Sequence, residues 1–322
     1  MRALSLIPLV IATPALAQDF PVTLDHAFGS TTIPARPERV VSVGVHEQDF
    51  LYALGIAPVG VHDWWGEKPY ATWSWAEDER AALGAEPAVL MGFEINVEWV
   101  AAQDPDLIVA SYYGDLTQGE YDLLSQIAPV ITAPPGYPQW GAPWQAELRL
   151  IGRATGTAAR AEEVITDLEG RIAAARAAYP TLAGKTGSTG YYYDGVVMTY
   201  NSADTAQRFL QDFGIVIPAE YDELAVERGN ADFSMEQLSH IDLDLFIFPD
   251  EPAEGGPLAQ VPTYAALGLA TEGRAVNLGG GDLAAALSFQ TPLAIDWLVD
   301  VLPPMMAAAV DGDPATAVVL PQ

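Results

Sequence analysis

Residues 96–109 of this chain (NVEWVAAQDPDLIV) return without a gap as residues 234–247 (SMEQLSHIDLDLFI). Each copy reads as a helix-capping residue, a glutamate two positions on, a short amphipathic helix, an Asp-x-Asp-Leu corner and a buried strand. One helix-to-strand unit used twice predicts two lobes of like construction, with Glu98 and Glu236 at equivalent places on them. The agreement extends to physical type: Asn96 and Ser234 are both good N-caps, and Val100 and Leu238 are both inward-facing apolar residues. No short-period repeat of the kind that builds a solenoid is visible.

Apolar runs elsewhere support the same class. Residues 39–44 (RVVSVG), 57–62 (APVGVH), 106–111 (DLIVAS) and 129–133 (PVITA) are continuous rather than alternating, and helical spacing separates them, as at residues 47–54. Such runs predict a parallel sheet covered on both faces. Residues 145–179 turn Ala-, Arg- and Glu-rich, break at Gly156 and resume after Thr157, read as an N-cap. The second part carries Glu162, Glu163, Asp167 and Glu169 early and Arg171 and Arg176 late, the order a helix dipole favours, and spans roughly 30 Å at 1.5 Å per residue. Beyond Pro180 strands are expected at residues 190–193, 196–200 and 274–278, a helix at 203–213 and a closing helix from Pro292, after Thr291. The organisation read from this is a leader at 1–17, a first α/β lobe at 18–156, a joining helix at 157–179 and a second α/β lobe at 180–322.

The leader, MRALSLIPLVIATPALA, has one basic residue, an apolar run too short to span a bilayer, and small residues at Ala15 and Ala17. It reads as a secretory signal cleaved near Ala17/Gln18, which leaves about 305 residues, enough for two ordinary domains. The chain has no cysteine, hence neither disulfide nor lipid attachment at an N-terminal cysteine, and a soluble periplasmic monomer without a membrane anchor is expected. No later segment reads as transmembrane. A net charge of -29, with Lys68 and Lys185 as the only lysines, excludes nucleic acid as a partner, because phosphate contacts need clustered basic residues.

The ordered set RPERVVSVG, ALGIAPVGV, NVEWVAAQDPDLIV, IGRATG, SMEQL and GRAVNL followed by SFQTPLAIDWL covers nearly all of the chain after the leader. In this set the chain resembles the periplasmic substrate-binding proteins of ABC importers for ferric siderophores, haem and cobalamin, the siderophore branch most of all. The resemblance implies the class III fold: two Rossmann-like lobes with parallel sheets, joined by a single long helix, with the ligand between them and little hinge closure. It implies a ferric siderophore as cargo, iron carried within that ligand and no intrinsic cofactor. It also implies an ABC permease in the inner membrane as partner, met by Glu98 in NVE and Glu236 in SME. Both glutamates are expected in a first helical turn, where a carboxylate is stabilised and points outward.

In open α/β lobes ligands bind beyond the carboxyl ends of the strands. Those ends supply His46, Trp64, Trp65, Tyr112 and Tyr113 in the first half, and Tyr193, Tyr200 and Phe248 in the second, with Phe289 near the last motif. Trp73 joins them through the segment WWGEKPYATWSW, residues 64–75, which holds four of the eight tryptophans. An aromatic lining suits a bulky, partly polar chelate. The acidic balance and the few arginines near loops (Arg80, Arg149, Arg228, Arg274) favour a neutral or cationic ferric hydroxamate over a tris-catecholate. Haem is the rival ligand, with His46 or Tyr112 on its iron; cobalamin and a sensory or adhesion module on the same fold are further alternatives. The histidines show no metal-ligand spacing, and no nucleophile elbow, phosphate loop or dinucleotide fingerprint is present, so catalysis is not expected.

Overall fold

The computed structural model describes residues 19–112, 116–137, 140–225, 229–252, 256–316 and 318–320. The leader with its cleavage position, Tyr113 and Arg228 lie outside the described residues.

A hairpin of β1 (Val22–His26) and β2 (Gly29–Ile33) precedes the first lobe. The lobe then alternates β3 (Val40–Ser42), α1 (Glu47–Ala53), β4 (Gly60–Asp63), α2 (Glu77–Ala82), β5 (Ala88–Met91), α3 (Val97–Ala102), β6 (Leu107–Ala110), α4 (Gln118–Leu124) and β7 (Val130–Thr132). Its five strands pair in the order β5-β4-β3-β6-β7, all parallel. Every residue of β3, β4, β6 and β7 is buried, which is why these strands read as unbroken apolar runs.

α5 (Trp144–Thr155) ends on Gly156, whose φ of 73° is a left-handed stop that a side chain would strain. α6 (Ala158–Ala178) then runs 21 residues, about 31 Å. Its N-cap differs from expectation: the Thr157 hydroxyl bonds Thr155 Oγ1 at 2.9 Å and caps nothing. The buried face of α6, Ala161, Ile165, Leu168 and Ile172, repeats at helical spacing and packs on α5 and on the terminal helix.

The second lobe comprises β8 (Gly187–Tyr193), β9 (Val196–Tyr200), α7 (Thr205–Asp212), α8 (Ala219–Leu224), β10 (Asn230–Ser234), β11 (Leu245–Phe248), α9 (Pro262–Ala265), α10 (Gly268–Thr271), β12 (Ala275–Asn277), α11 (Gly281–Phe289) and α12 (Pro292–Ala309). Its sheet, ordered β10-β9-β8-β11-β12, is mixed and not parallel as expected. β9 runs antiparallel to both neighbours. The cause is Asp194-Gly195, both at positive φ (47° and 79°), a two-residue turn that returns the chain directly beside β8.

This hairpin also breaks the internal repeat. In the first copy Asn96 caps α3, its Oδ1 accepting the Trp99 N–H at 2.8 Å. In the second copy Ser234 is the last residue of β10, paired with Val196, and caps no helix; one 3-10 turn, Leu238–Ile241, follows. The corner itself is conserved in function. Asp106 accepts the N–H groups of Glu38 and Arg39 at 2.8 Å, at the entry to β3. Asp244 accepts the Thr186 N–H at 2.8 Å, at the entry to β8. In each lobe the second aspartate of the corner ties its strand to the neighbouring strand.

The terminal helix closes the molecule by returning to the first lobe, where α12 packs on α1 as well as on α6. By length and composition α12 is apolar enough to cross a membrane, contrary to the sequence reading, but more than half of it is buried in the fold. At its N-terminus the Thr291 hydroxyl accepts the Ala294 N–H and donates to buried Asp49 of α1 at 2.7 Å. Trp75 Nε1 donates to the same carboxylate oxygen at 2.7 Å. Removing this acceptor strands two buried donors, so Asp49→Ala should lower unfolding stability by roughly 2–4 kcal/mol, and Asp49→Asn, which keeps an acceptor oxygen, by clearly less. Urea denaturation measures both; an alanine variant as stable as the parent contradicts the bridge.

Candidate functional site

Between the lobes lies a cleft of about 590 Å³. The first lobe contributes Val45, Trp64, Phe93 and Tyr112, which lie within three residues of the ends of β3, β4, β5 and β6, together with Trp140 ahead of α5. These are the carboxyl ends of the strands, as expected for an open α/β sheet. The second lobe works differently. Its wall is one face of the β8–β9 hairpin (Thr189, Tyr191, Tyr200), the start of α7 (Asp204, Thr205) and the end of α11 (Ser288, Phe289). Thr189 and Tyr191 are alternate residues of β8, and Tyr200 is in register with Thr189, so all three share one face.

A glycine and a glutamate set the floor of the first wall. A Cβ on Gly44 would fall 1.8 Å from the Glu47 carboxylate, so only glycine lets that side chain fold back over the end of β3. There Glu47 accepts the Tyr112 N–H at 2.8 Å and, more loosely, the Ser42 hydroxyl and the His46 N–H at 3.3 Å. Burial pushes the Glu47 carboxyl up from the usual range, with His46 and the Tyr112 N–H pulling the other way. Tyr112 is thereby fixed, and its hydroxyl lies 3.5 Å from Thr205 Oγ1 on the opposite lobe. Burial also raises the hydroxyl pKa values of Tyr112, Tyr191 and Tyr200, that of Tyr191 to about 12, so all three are neutral hydrogen-bonding groups.

Of the residues the sequence nominated, Trp64, Tyr112, Tyr200 and Phe289 meet in the lining. His46 does not reach it: only 1% exposed, it stacks behind Tyr112 at 3.8 Å with Nε2 3.6 Å from Glu147. Trp65 stands at the rim, packed against Trp64 and Trp73. Trp73 is buried, stacked on Trp75 at 5.3 Å, and meets Phe289 edge-on. Tyr193 has the same strand parity as Tyr191 but occupies the hairpin tip, 81% exposed. Phe248 is core, enclosed with Phe246 and Tyr264, because β11 is a central strand of its sheet.

The tryptophan-rich segment therefore does two jobs. Trp64 faces the cleft, while Trp73 and Trp75 pack across the lobes onto Phe289 and Trp297. Lys68 joins the same junction, 2.9 Å from Asp282 and 4.6 Å above the Trp73 ring, and Ser74 also donates to Asp282. Sequence reading missed Phe93, Trp140, Thr189, Tyr191, Asp204 and Ser288. Tyr191 was detectable, since the DG turn after YYY fixes the parity of β8; Asp204 fell inside the helix expected at 203–213, and nothing local gave its direction.

Asp204 caps α7, accepting the Ala206 N–H at 2.9 Å, and burial raises its carboxyl to about 6. The arginines named from sequence are engaged elsewhere: Arg80 with Glu77, Arg149 with Glu162, and Arg274 with Asp242 and Glu272. Glu98 lies exposed in the first turn of α3. Glu236 is exposed too, but sits in the turn after β10 rather than on a helix, for the reason that ended the repeat. β10 runs in the same sense as β8, so Glu236 follows the carboxyl end of its strand as Glu98 follows that of β5. Among the described residues no group of three or more His, Cys, Asp or Glu could hold a metal ion.

This architecture has close counterparts. A periplasmic solute binding protein from Mycobacterium smegmatis str. MC2 155 superposes with a TM-score of 0.78 at 33% identity, over 90% of this chain and 98% of that one. PiaA of Streptococcus pneumoniae TIGR4, solved in complex with ferrichrome, gives 0.79 at 25% identity, over 90% and 99%. The probable siderophore-binding lipoprotein YfiY of Bacillus subtilis (strain 168) is 28% identical over 70% of this chain and 68% of its own length. The profile described as periplasmic binding protein matches residues 40–259. With two α/β lobes, a long helix leading from one to the other and an aromatic cleft between them, the chain belongs to the periplasmic binding protein family.

Proposed function

We propose that this protein captures a ferric siderophore in the cleft between its lobes and delivers it to an ABC permease. The observation that carries this reading is the aromatic enclosure: Trp64, Phe93, Tyr112 and Trp140 on one wall face Tyr191, Tyr200 and Phe289 on the other. Rings with hydroxyl or N–H tips offer apolar area and a few oriented hydrogen bonds to one bulky ligand, and the cleft's 590 Å³ suits a chelate of that bulk. The ligands named for PiaA and YfiY support the same chemistry. A haem ligated through His46 is disfavoured, because that ring is enclosed behind Tyr112. Iron arrives inside the ligand, so the protein needs no metal ligands of its own.

Delivery requires a surface that both lobes share. Glu98 and Glu236 supply one carboxylate on each lobe, both exposed and both beyond the carboxyl end of a strand, where paired basic residues of a permease can meet them. Periplasmic location after removal of the leader, and action as a monomer, belong to the same reading.

Two outcomes follow. Trp64→Ala and Tyr200→Ala should each weaken binding of ferrichrome by roughly tenfold, since a buried aromatic anchor contributes on the order of 1–2 kcal/mol; calorimetric titration reads this, and unchanged affinity in both variants removes the cleft from the account. Glu98→Ala combined with Glu236→Ala should leave that affinity intact while radio-iron uptake by cells supplied with ferrichrome drops at least about tenfold. Undiminished uptake would rule out the docking role.

A further inference from the structure

Resting on the siderophore reading of this cleft, we propose that the chelate it accepts carries no net negative charge, and that Asp204 enforces this by facing a positively charged or N–H-bearing group of the ligand.

The cleft's charge inventory is lopsided. Among the described lining residues Asp204 is the only ionisable side chain other than tyrosine. One of its carboxylate oxygens takes the Ala206 N–H, and no Lys, Arg or His among the described residues comes within ion-pair distance of it. Arg208, one helical turn on, is the nearest candidate for a counter-charge. Its Nη2 donates to the Gly141 carbonyl and its charge acts on Asp204, but it makes no ion pair with that carboxylate and is absent from the lining.

The acidic groups also act on the tyrosines of the second wall. Charged neighbours act on Tyr191 and on Tyr200, and in both cases these are Asp204 and Asp250, with no cation opposing them. Only Tyr112, on the first wall, also feels Arg208. A tris-catecholate complex, with three negative charges, would have to shed its water beside a carboxylate that Arg208 offsets only from outside the lining, which is unfavourable. A neutral trihydroxamate carries no such penalty. One bearing an ammonium gains a direct electrostatic contact.

The test is calorimetric titration at neutral pH with three ferric chelates: ferrioxamine B, which carries a free ammonium; the same chelate with that amine acetylated; and ferric enterobactin, a trianion. The native protein should bind the ammonium form roughly tenfold tighter than the acetylated form, and the trianion weakest. Asp204→Asn keeps the helix cap, because asparagine is an equally good N-cap, and should bring the first two chelates to within about twofold of each other. Asp204→Ser, also a capping residue, is read the same way if the asparagine variant folds poorly. The proposal is overturned if the first two chelates bind the native protein equally, if their difference survives in the variants, or if the trianion binds tightest. Failure of all three to bind the native protein is a different result: it overturns the siderophore reading on which this inference rests.

Discussion

The carboxylate of Asp49 is the constraint on which the relation between the lobes depends. It is fully buried, burial pushes its pKa up, and it persists because Trp75 Nε1 and the Thr291 hydroxyl both donate to it. Thr291 in turn caps α12, the helix that returns from the second lobe to pack on α1 and α6. One acidic group thus fixes the tryptophan-rich segment of the first lobe and the start of the terminal helix at the same point. Phe289, two residues before Thr291, lies against Trp64, Trp65, Trp73 and Trp75 and is held within the same junction. A wall residue of the cleft is therefore part of the joint between the lobes, so opening the cleft at this end would require breaking buried contacts. Small adjustments on binding follow from that geometry more naturally than a wide hinge motion.

The lobes are alike where hydrogen bonding demands it and unlike where a turn intervenes. Asp106 and Asp244 each supply a carboxylate to the backbone at the entry of an adjacent parallel strand, and that shared task is what the repeated Asp-x-Asp-Leu corner encodes. Upstream of the corner the copies diverge: β10 runs on to Ser234, and a 3-10 turn stands where the first copy has α3. The consequence for the cleft is direct. Strand ends line the first lobe, whereas the flat face of a hairpin lines the second, which brings Thr189, Tyr191 and Tyr200 together.

The parallel first sheet was legible because its strands are buried on both faces and carry unbroken apolar runs. The hairpin was legible in principle too, through the Asp194-Gly195 pair between YYY and VVMTY, but the expectation of a second parallel lobe hid it. Site residues divided along the same line. In the first lobe, reading the strand ends nominated Trp64 and Tyr112, which the structure places in the lining, but it could not reveal that His46 turns inward behind Tyr112. In the second lobe Pro249, directly after β11, lines the cleft, whereas Phe248, the last residue of that strand, is buried in the core. Whether a tryptophan faces ligand or partner lobe is a tertiary matter, so the segment from Trp64 to Trp75 announced its importance without disclosing how Trp64 and Trp73 divide the work.

The central claim is that a ferric chelate sits between the two aromatic walls. Crystals of the protein grown with ferrichrome, measured at the iron absorption edge, would locate the metal by its anomalous signal. The account predicts one peak in the cleft, between Trp64 and Tyr200, with the chelate against Phe289 and Tyr191. Iron bound on the outer surface of either lobe, with the cleft holding solvent alone, would contradict it.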